Sequence, residues 1–112
     1  MSENAGQKAE RLTVKRLGLS ATVASGQLDG DPADGKTEAL RVEIKTTVGA
    51  SIRMDRMWLL QLLEDAVSHG QVPVLSFQFT HGNGEPRPGL SWIAVPEHFW
   101  MEIREALERD RL

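Results

Sequence analysis

With 112 residues, 40% of them hydrophobic and 26% charged, the chain suits one compact domain and excludes both a disordered polymer and a two-domain protein. The absence of cysteine excludes disulfides and thiolate–metal sites, and no apolar run approaches the roughly 18 residues of a membrane span. A net charge of −3 excludes a surface that is basic throughout, though not a local basic patch.

Residues 1–6 are small and polar and are expected to fray. Residues 1–10 also lack the apolar core of a signal peptide, so cytoplasmic residence is the expectation. Gln7 to Leu17 are good helix formers, with Ala9, Leu12 and Leu17 apolar and Gly18 as a stop. Lys8, Arg11, Lys15 and Arg16 occupy the other side of that helix. Leu19 to Gly35 is rich in Ser, Gly, Asp and Pro, which predicts a loop with room for one short strand.

Ala39 to Thr47 alternates Leu40, Val42 and Ile44 with Arg41, Glu43 and Lys45, the period of a strand. Ser51 to Met54 is a candidate extension. Asp55 can cap a helix running to about His69, with Gly70 as its stop. Met54, Trp58, Leu59, Leu62, Leu63 and Ala66 form its apolar face. Pro73 to Thr80 reads as a second long strand, residues 81–89 as a hairpin loop, and Leu90 to Val95 as a third strand. Pro96 suits the first turn of a last helix that is expected to bury Phe99, Trp100, Ile103 and Leu107. Trp58, Trp92 and Trp100 are all expected in the core. The order predicts a single α/β domain over residues 1–112, a small mixed central sheet flanked by helices, with helix 54–69 crossing between two strands.

Glu43 and Lys45 leave the same face of their strand, roughly 7 Å apart along it. A carboxylate and an ammonium between buried apolar neighbours are costly unless something uses them. If a short strand near residues 28–34 pairs with 39–47, Asp34 or Asp31 comes beside Glu43. Two carboxylates and the Ile44 carbonyl would make an oxygen-donor set suited to Mg²⁺.

Asp34, then eight residues, then Glu43-Ile44-Lys45, resembles the bipartite D…(D/E)-x-K signature of the PD-(D/E)XK nucleases. Lys15-Arg16-Leu17-Gly18, Ser25-Gly26, Ala33-Asp34-Gly35, Val42 to Thr47, Ser51, Trp58-Leu59 and Pro73-Val74-Leu75 follow in an order similar to that of small phage-encoded or archaeal-type Holliday junction resolvases. The resemblance covers about residues 8–80. It implies a restriction-endonuclease-like core (α-β-β-α-β-β-α) and a Mg²⁺-dependent endodeoxyribonuclease, with Mn²⁺ as a substitute. The substrate would be branched DNA, cut by a homodimer in recombination or phage DNA processing, and the work would be done in the cytoplasm of a bacterial host.

By the same resemblance, Asp34, Glu43 and the Ile44 carbonyl would bind the metal, Lys45 would be the catalytic lysine, and Glu10 an additional acid at the metal. Lys8, Arg11, Lys15, Arg16, Ser25, Ser51 and Arg53 would contact DNA. The chain departs from the family name in having Ala33 where a proline is expected, and Asp29 and Asp31 rival Asp34 as the first acid.

Simpler readings stand beside these. Glu43 and Lys45 can be an ordinary ion pair worth about 0–1 kcal/mol, and the aspartates can serve turns alone. His69, His81 and His98 share no ligand spacing. A DNA-binding module without catalysis, a protein-interaction domain, and a nuclease for single strands or ends are the alternative functions.

Overall fold

The chain is described by a computed structural model over residues 3–21 and 34–111. Helix α1 (Ala5–Arg16) begins where Asn4 and Gln7 cap each other. The Asn4 side chain accepts from the Gln7 N–H at 2.7 Å, and the Gln7 side chain accepts from the Asn4 N–H at 3.0 Å. This reciprocal cap satisfies two otherwise orphaned donors. It starts the helix at Ala5, two residues earlier than apolar spacing suggested. Gly18, at φ +68°, turns the chain out of the helix.

Four further elements build the centre: strands β1 (Ser20–Ala21), β2 (Gly35–Lys36) and β3 (Leu40–Thr47), then helix α2 (Arg56–Ser68). Asp55 caps α2 by accepting from the Met57 N–H at 2.8 Å. Residues 51–54, a candidate strand extension, are irregular instead. Strands β4 (Val72–Thr80) and β5 (Pro86–Ala94) follow, then helix α3 (Glu97–Arg109). The described residues thus form a mixed α/β fold of three helices and one five-stranded sheet, ordered β1-β2-β3-β4-β5. Only β3 and β4 run parallel, and parallel neighbours need a crossover, which α2 provides.

Strand β5 starts at Pro86, four residues before the expected Leu90. Its register with β4 shifts between Gln78 and Thr80. Pro86 and Pro88 cannot donate to a ladder, and they are tolerated because β5 is the outer strand of the sheet.

Alternation along β3 decides what lies on each side of the sheet. Val42, Ile44 and Val74 form the buried cluster, packed by Val14 and Leu19 from α1 and its exit. On the opposite face Arg41 reaches α2 and pairs with Asp65 at 3.0 Å. Gln71 accepts from the same guanidinium at 2.8 Å. Arg41 is only 4% exposed, so these partners are what make its burial tolerable.

The apolar stripes of α2 and α3 are less covered than their periodicity predicts. Leu62 and Ala66 are buried, but Met54, Leu59 and Leu63 are exposed. α3 buries none of its residues, and Trp92 and Trp100 stand 58% and 50% exposed rather than in a core. Helical spacing says which residues share a face; it does not say that anything in the same chain lies against that face.

At Gly84 two constraints coincide. Its φ is +87°, and an added Cβ would stand 2.5 Å from the Ala5 carbonyl oxygen. Gly82, two residues earlier, has nothing within 4 Å of such an atom. Gly84→Ala is therefore expected to cost about 2 kcal/mol or more in urea unfolding, while Gly82→Ala costs a few tenths. Equal effects would show that α1 does not dock tightly on the β4–β5 turn.

Candidate active site

The acidic residues gather along one edge of β3. Gly35 and Lys36 pair antiparallel with Val42 and Arg41. Asp34 continues this ladder, its N–H donating to the Val42 carbonyl at 2.9 Å. The Asp34 carboxylate then accepts from the Ile44 N–H at 2.8 Å. A strand residue sends its N–H and C=O out by the same edge, so the Ile44 carbonyl faces the Asp34 side as well. Asp34 is delivered by the short strand at residues 35–36, with the turn back to β3 at 37–39; the strand expected near residues 28–34 lies, up to residue 33, outside the described residues.

Glu43 lies between the two residues that Asp34 grips. Its side chain meets Lys45, whose Nζ is 3.0 Å from Glu43 Oε1. The same ammonium sits 4.1 Å from the centre of the Trp58 ring, so the lysine is held by a carboxylate and an aromatic face together. Both side chains of the ion pair are largely covered, at 27% and 16% exposure. That distinguishes the pair from a freely solvated one.

Glu10 approaches from α1. Its carboxyl hydrogen-bonds to Asp34 and feels the charge of Glu43. Its pKa is pushed up to about 7, first by burial, then by the charge of Asp34 and their hydrogen bond, then by Glu43. Glu43 is also raised, chiefly by burial and then by Asp34, with Lys45 working in the opposite direction. Two carboxyl groups can hydrogen-bond only with a proton between them. The hydrogen bond between Glu10 and Asp34 therefore belongs to the form in which Glu10 holds its proton.

Among the described residues, no three acidic or imidazole side chains surround one point as the ligands of an ion would. Glu43 has Lys45 as its counter-ion instead, and like charges at this edge repel one another. The donor set nonetheless fits a hard divalent cation. Two carboxyl groups are held proton-hungry by negative neighbours, and the Ile44 carbonyl leaves by the same edge. All are oxygens.

The other expected contacts scatter. Lys8 pairs with Glu85 at 2.9 Å, and Arg11 with Glu3 at 2.8 Å. Lys15 is exposed, as are Ser51 and Arg53 between β3 and α2. Arg16 donates to the Gln78 side-chain oxygen at 2.9 Å. Ser25, Asp29 and Asp31 lie outside the described residues. His69 pairs with Asp65 at 3.6 Å.

Two arrangements escaped the sequence reading. Trp58 was expected to be core and instead stacks on Lys45. Gln78, 1% exposed, donates to the Thr13 hydroxyl, which donates in turn to the Ala9 carbonyl at 2.8 Å. The signal for the second was present: Ser76, Gln78 and Thr80 alternate as a polar row inside an otherwise apolar strand. Comparison with known protein families and with curated proteins gives no match for this chain.

The raised pKa of Glu10 has a definite sign in stability. The folded state holds that proton more tightly than the unfolded chain. The stabilisation is fully present below about pH 4.5 and is lost as pH rises through about 7. In EDTA, Glu10→Gln should flatten the fall in unfolding free energy between these pH values, leaving a residual slope from Glu43. Superimposable profiles for the two proteins would mean that Glu10 and Asp34 are apart in solution.

Proposed function

We propose that the chain is a divalent-metal-dependent endodeoxyribonuclease of the PD-(D/E)XK type with a restriction-endonuclease-like core. The observation that carries this reading is the convergence of Glu10 from α1, Asp34 from the end of β2, and Glu43 and Lys45 from β3 at one sheet edge. The three residues named by the signature, and the Glu10 that the resemblance adds, come from three separate elements, and a surface ion pair alone gives no reason for Asp34 and Glu10 to be there.

Asp34, Glu43 and the Ile44 carbonyl would hold Mg²⁺ or Mn²⁺, with Glu10 as an additional acid. Such an ion supplies Lewis acidity towards a phosphodiester oxygen and lowers the pKa of water. The chain's own residues do the rest. Asp34, fixed by the Ile44 N–H, keeps its carboxylate in a defined orientation. Glu43 and Trp58 hold the Lys45 ammonium still, so that Nζ can hydrogen-bond an attacking water or the charge growing on the phosphate. Glu10, with its pKa near neutrality, can take up or release a proton at working pH.

The resemblance to small resolvases favours branched DNA, with four-way junctions first. Symmetric cutting of two strands requires two sites, and so a homodimer. No described helix is long and apolar enough to cross a membrane. By the same resemblance the work would be done in the cytoplasm of a bacterial host.

The test pairs cleavage with ion binding. Labelled four-way junction, duplex and single-stranded DNA are incubated with Mg²⁺, Mn²⁺ or EDTA, and Mn²⁺ binding is followed by calorimetry. Lys45→Ala is expected to slow cutting by about 10²–10³-fold while retaining Mn²⁺ binding; Asp34→Asn should lose both. If Mn²⁺ does not bind and no substrate is cut, the reading fails and a DNA-binding or protein-interaction module takes its place.

The stacking on Trp58 adds a graded expectation. Trp58→Phe, which keeps an aromatic face, should retain most of the activity, and Trp58→Leu should lower kcat about tenfold with little change in KM. Equal rates in the two variants would remove the ring from the lysine's function.

A further inference from the structure

Lys45, Phe77 and Trp92 stand side by side across three strands. Lys45 is the register partner of Phe77 in β4, and Phe77 that of Trp92 in β5. Register partners send their side chains to the same face of a sheet. Here it is the face on which Trp58 meets the Lys45 ammonium. Neighbouring strands lie about 4.8 Å apart, so the backbone of Trp92 is about 10 Å from that of Lys45. Trp58 and Phe77 are partly buried, whereas Trp92 is 58% exposed. Its ring is nonetheless fixed, because the indole N–H donates to the Gly89 carbonyl at 3.1 Å. Two residues further along β4 lies Phe79, the partner of Thr47. With Val48, Gly49, Ala50, Arg87 and Leu90 it lines a recess of about 410 Å³. Arg87 donates to the Thr80 carbonyl at 3.2 Å, a neutral acceptor that leaves its charge unbalanced. Arg53 and Arg56 are exposed in the stretch that leads from Ala50 to Trp58, and Asp55 between them caps α2.

We infer that this face takes unpaired nucleotides of a nucleic-acid strand, with a base laid on the Trp92 ring, a neighbouring phosphate at Arg87 and the strand continuing to Lys45. The chemistry of the row selects that occupant. An exposed aromatic ring held in one orientation offers the flat surface on which a base stacks, and its ordering is complete before binding. The cations at the recess and at Lys45 supply the counter-charge that a phosphodiester backbone requires. A base inside a duplex already stacks on both of its faces, so a ring of this kind favours nucleotides that are free of a partner.

The choice of occupant rests on the nuclease reading, which brings a phosphodiester to Lys45, and it narrows the substrate of that site. The strand to be cut is one whose bases are unpaired on the β5 side of the target phosphate. Phe77 is the one residue between Lys45 and Trp92 in the row, so ring and ammonium are close enough to act on neighbouring nucleotides of one strand. Binding at the ring itself needs neither metal nor cleavage, and the two readings are therefore separable.

The test is fluorescence anisotropy of labelled strands titrated with the full chain in EDTA at low salt. The probes are an oligothymidylate of about 12 nucleotides, an abasic strand with the same phosphates, and a duplex of equal length. The oligothymidylate is expected to bind at least about tenfold more tightly than either control. Trp92→Ala should weaken it about tenfold, Trp92→Phe should retain most of the affinity, and Leu107→Ala, on α3, should change nothing. Circular dichroism of each variant separates loss of binding from loss of fold. Equal affinity for the abasic strand or the duplex overturns the inference, as does indifference to Trp92→Ala or no binding at about 100 µM. So does a dimer, seen by sedimentation, that Trp92→Ala dissociates in a chain that binds no strand, because a second copy would then cover the ring. Metal-dependent cutting that ignores Trp92→Ala removes this inference and leaves the nuclease reading in place. Oligothymidylate binding that is lost in Trp92→Ala, by a chain that neither binds Mn²⁺ nor cuts, upholds the face and removes the enzyme.

Discussion

Everything at the acidic edge depends on how Asp34 is tied to β3. Its N–H is held by the Val42 carbonyl and its carboxylate by the Ile44 N–H, so it grips the strand on both sides of Glu43. One backbone bond and one side-chain bond fix both the position and the direction of the carboxylate. That is how a residue at the end of a two-residue strand can stand in a constant relation to Glu43. Hydrogen bonds to charged acceptors contribute more than neutral ones, and this one lies in a buried setting. Asp34 is thus part of the sheet's ladder as well as part of the site.

The same strand carries two ion pairs with opposite demands. Arg41 and Asp65 are almost fully covered, and removing one partner would strand a charge at a cost of about 3–5 kcal/mol. Glu43 and Lys45 sit nearer to solvent and contribute less to folding. Four residues along β3, the chemistry changes from a structural pair to one that can exchange partners. Asp65 connects the two, since it pairs with Arg41 and its charge also reaches Glu43.

The long elements were legible because their signals are local. The alternation at 40–47 and 73–80 and the Asp55 cap predicted β3, β4 and α2 to within a few residues. The prediction that Asp34 comes beside Glu43 rested on a hairpin, and residues 34–36 pair with β3 in one. What could not be read was coverage. Phe99, Trp100, Ile103 and Leu107 have the spacing of a buried face, but burial depends on where the helix goes after Pro96, and no local pattern encodes that. Trp58 was placed in the core for the same reason, since an apolar ring is equally suited to packing and to holding a cation. The start of β5 was missed because Pro86 and Pro88 usually argue against a strand, and an outer strand is the exception.

The raised pKa of Glu10 beside Asp34 has a consequence beyond the fold. A group that titrates near neutrality, wedged among other negative charges, is a store that a cation must empty before it can bind. Any divalent ion or basic ligand lodging at this edge would expel acid into the medium, and its apparent affinity would climb with pH until the store is spent. Its measured heat of binding would also contain the ionisation heat of whatever buffer receives the proton. A cation binding at the edge of β3 would therefore couple its uptake to proton release, through two carboxyl groups that neither helix nor strand could bring together alone.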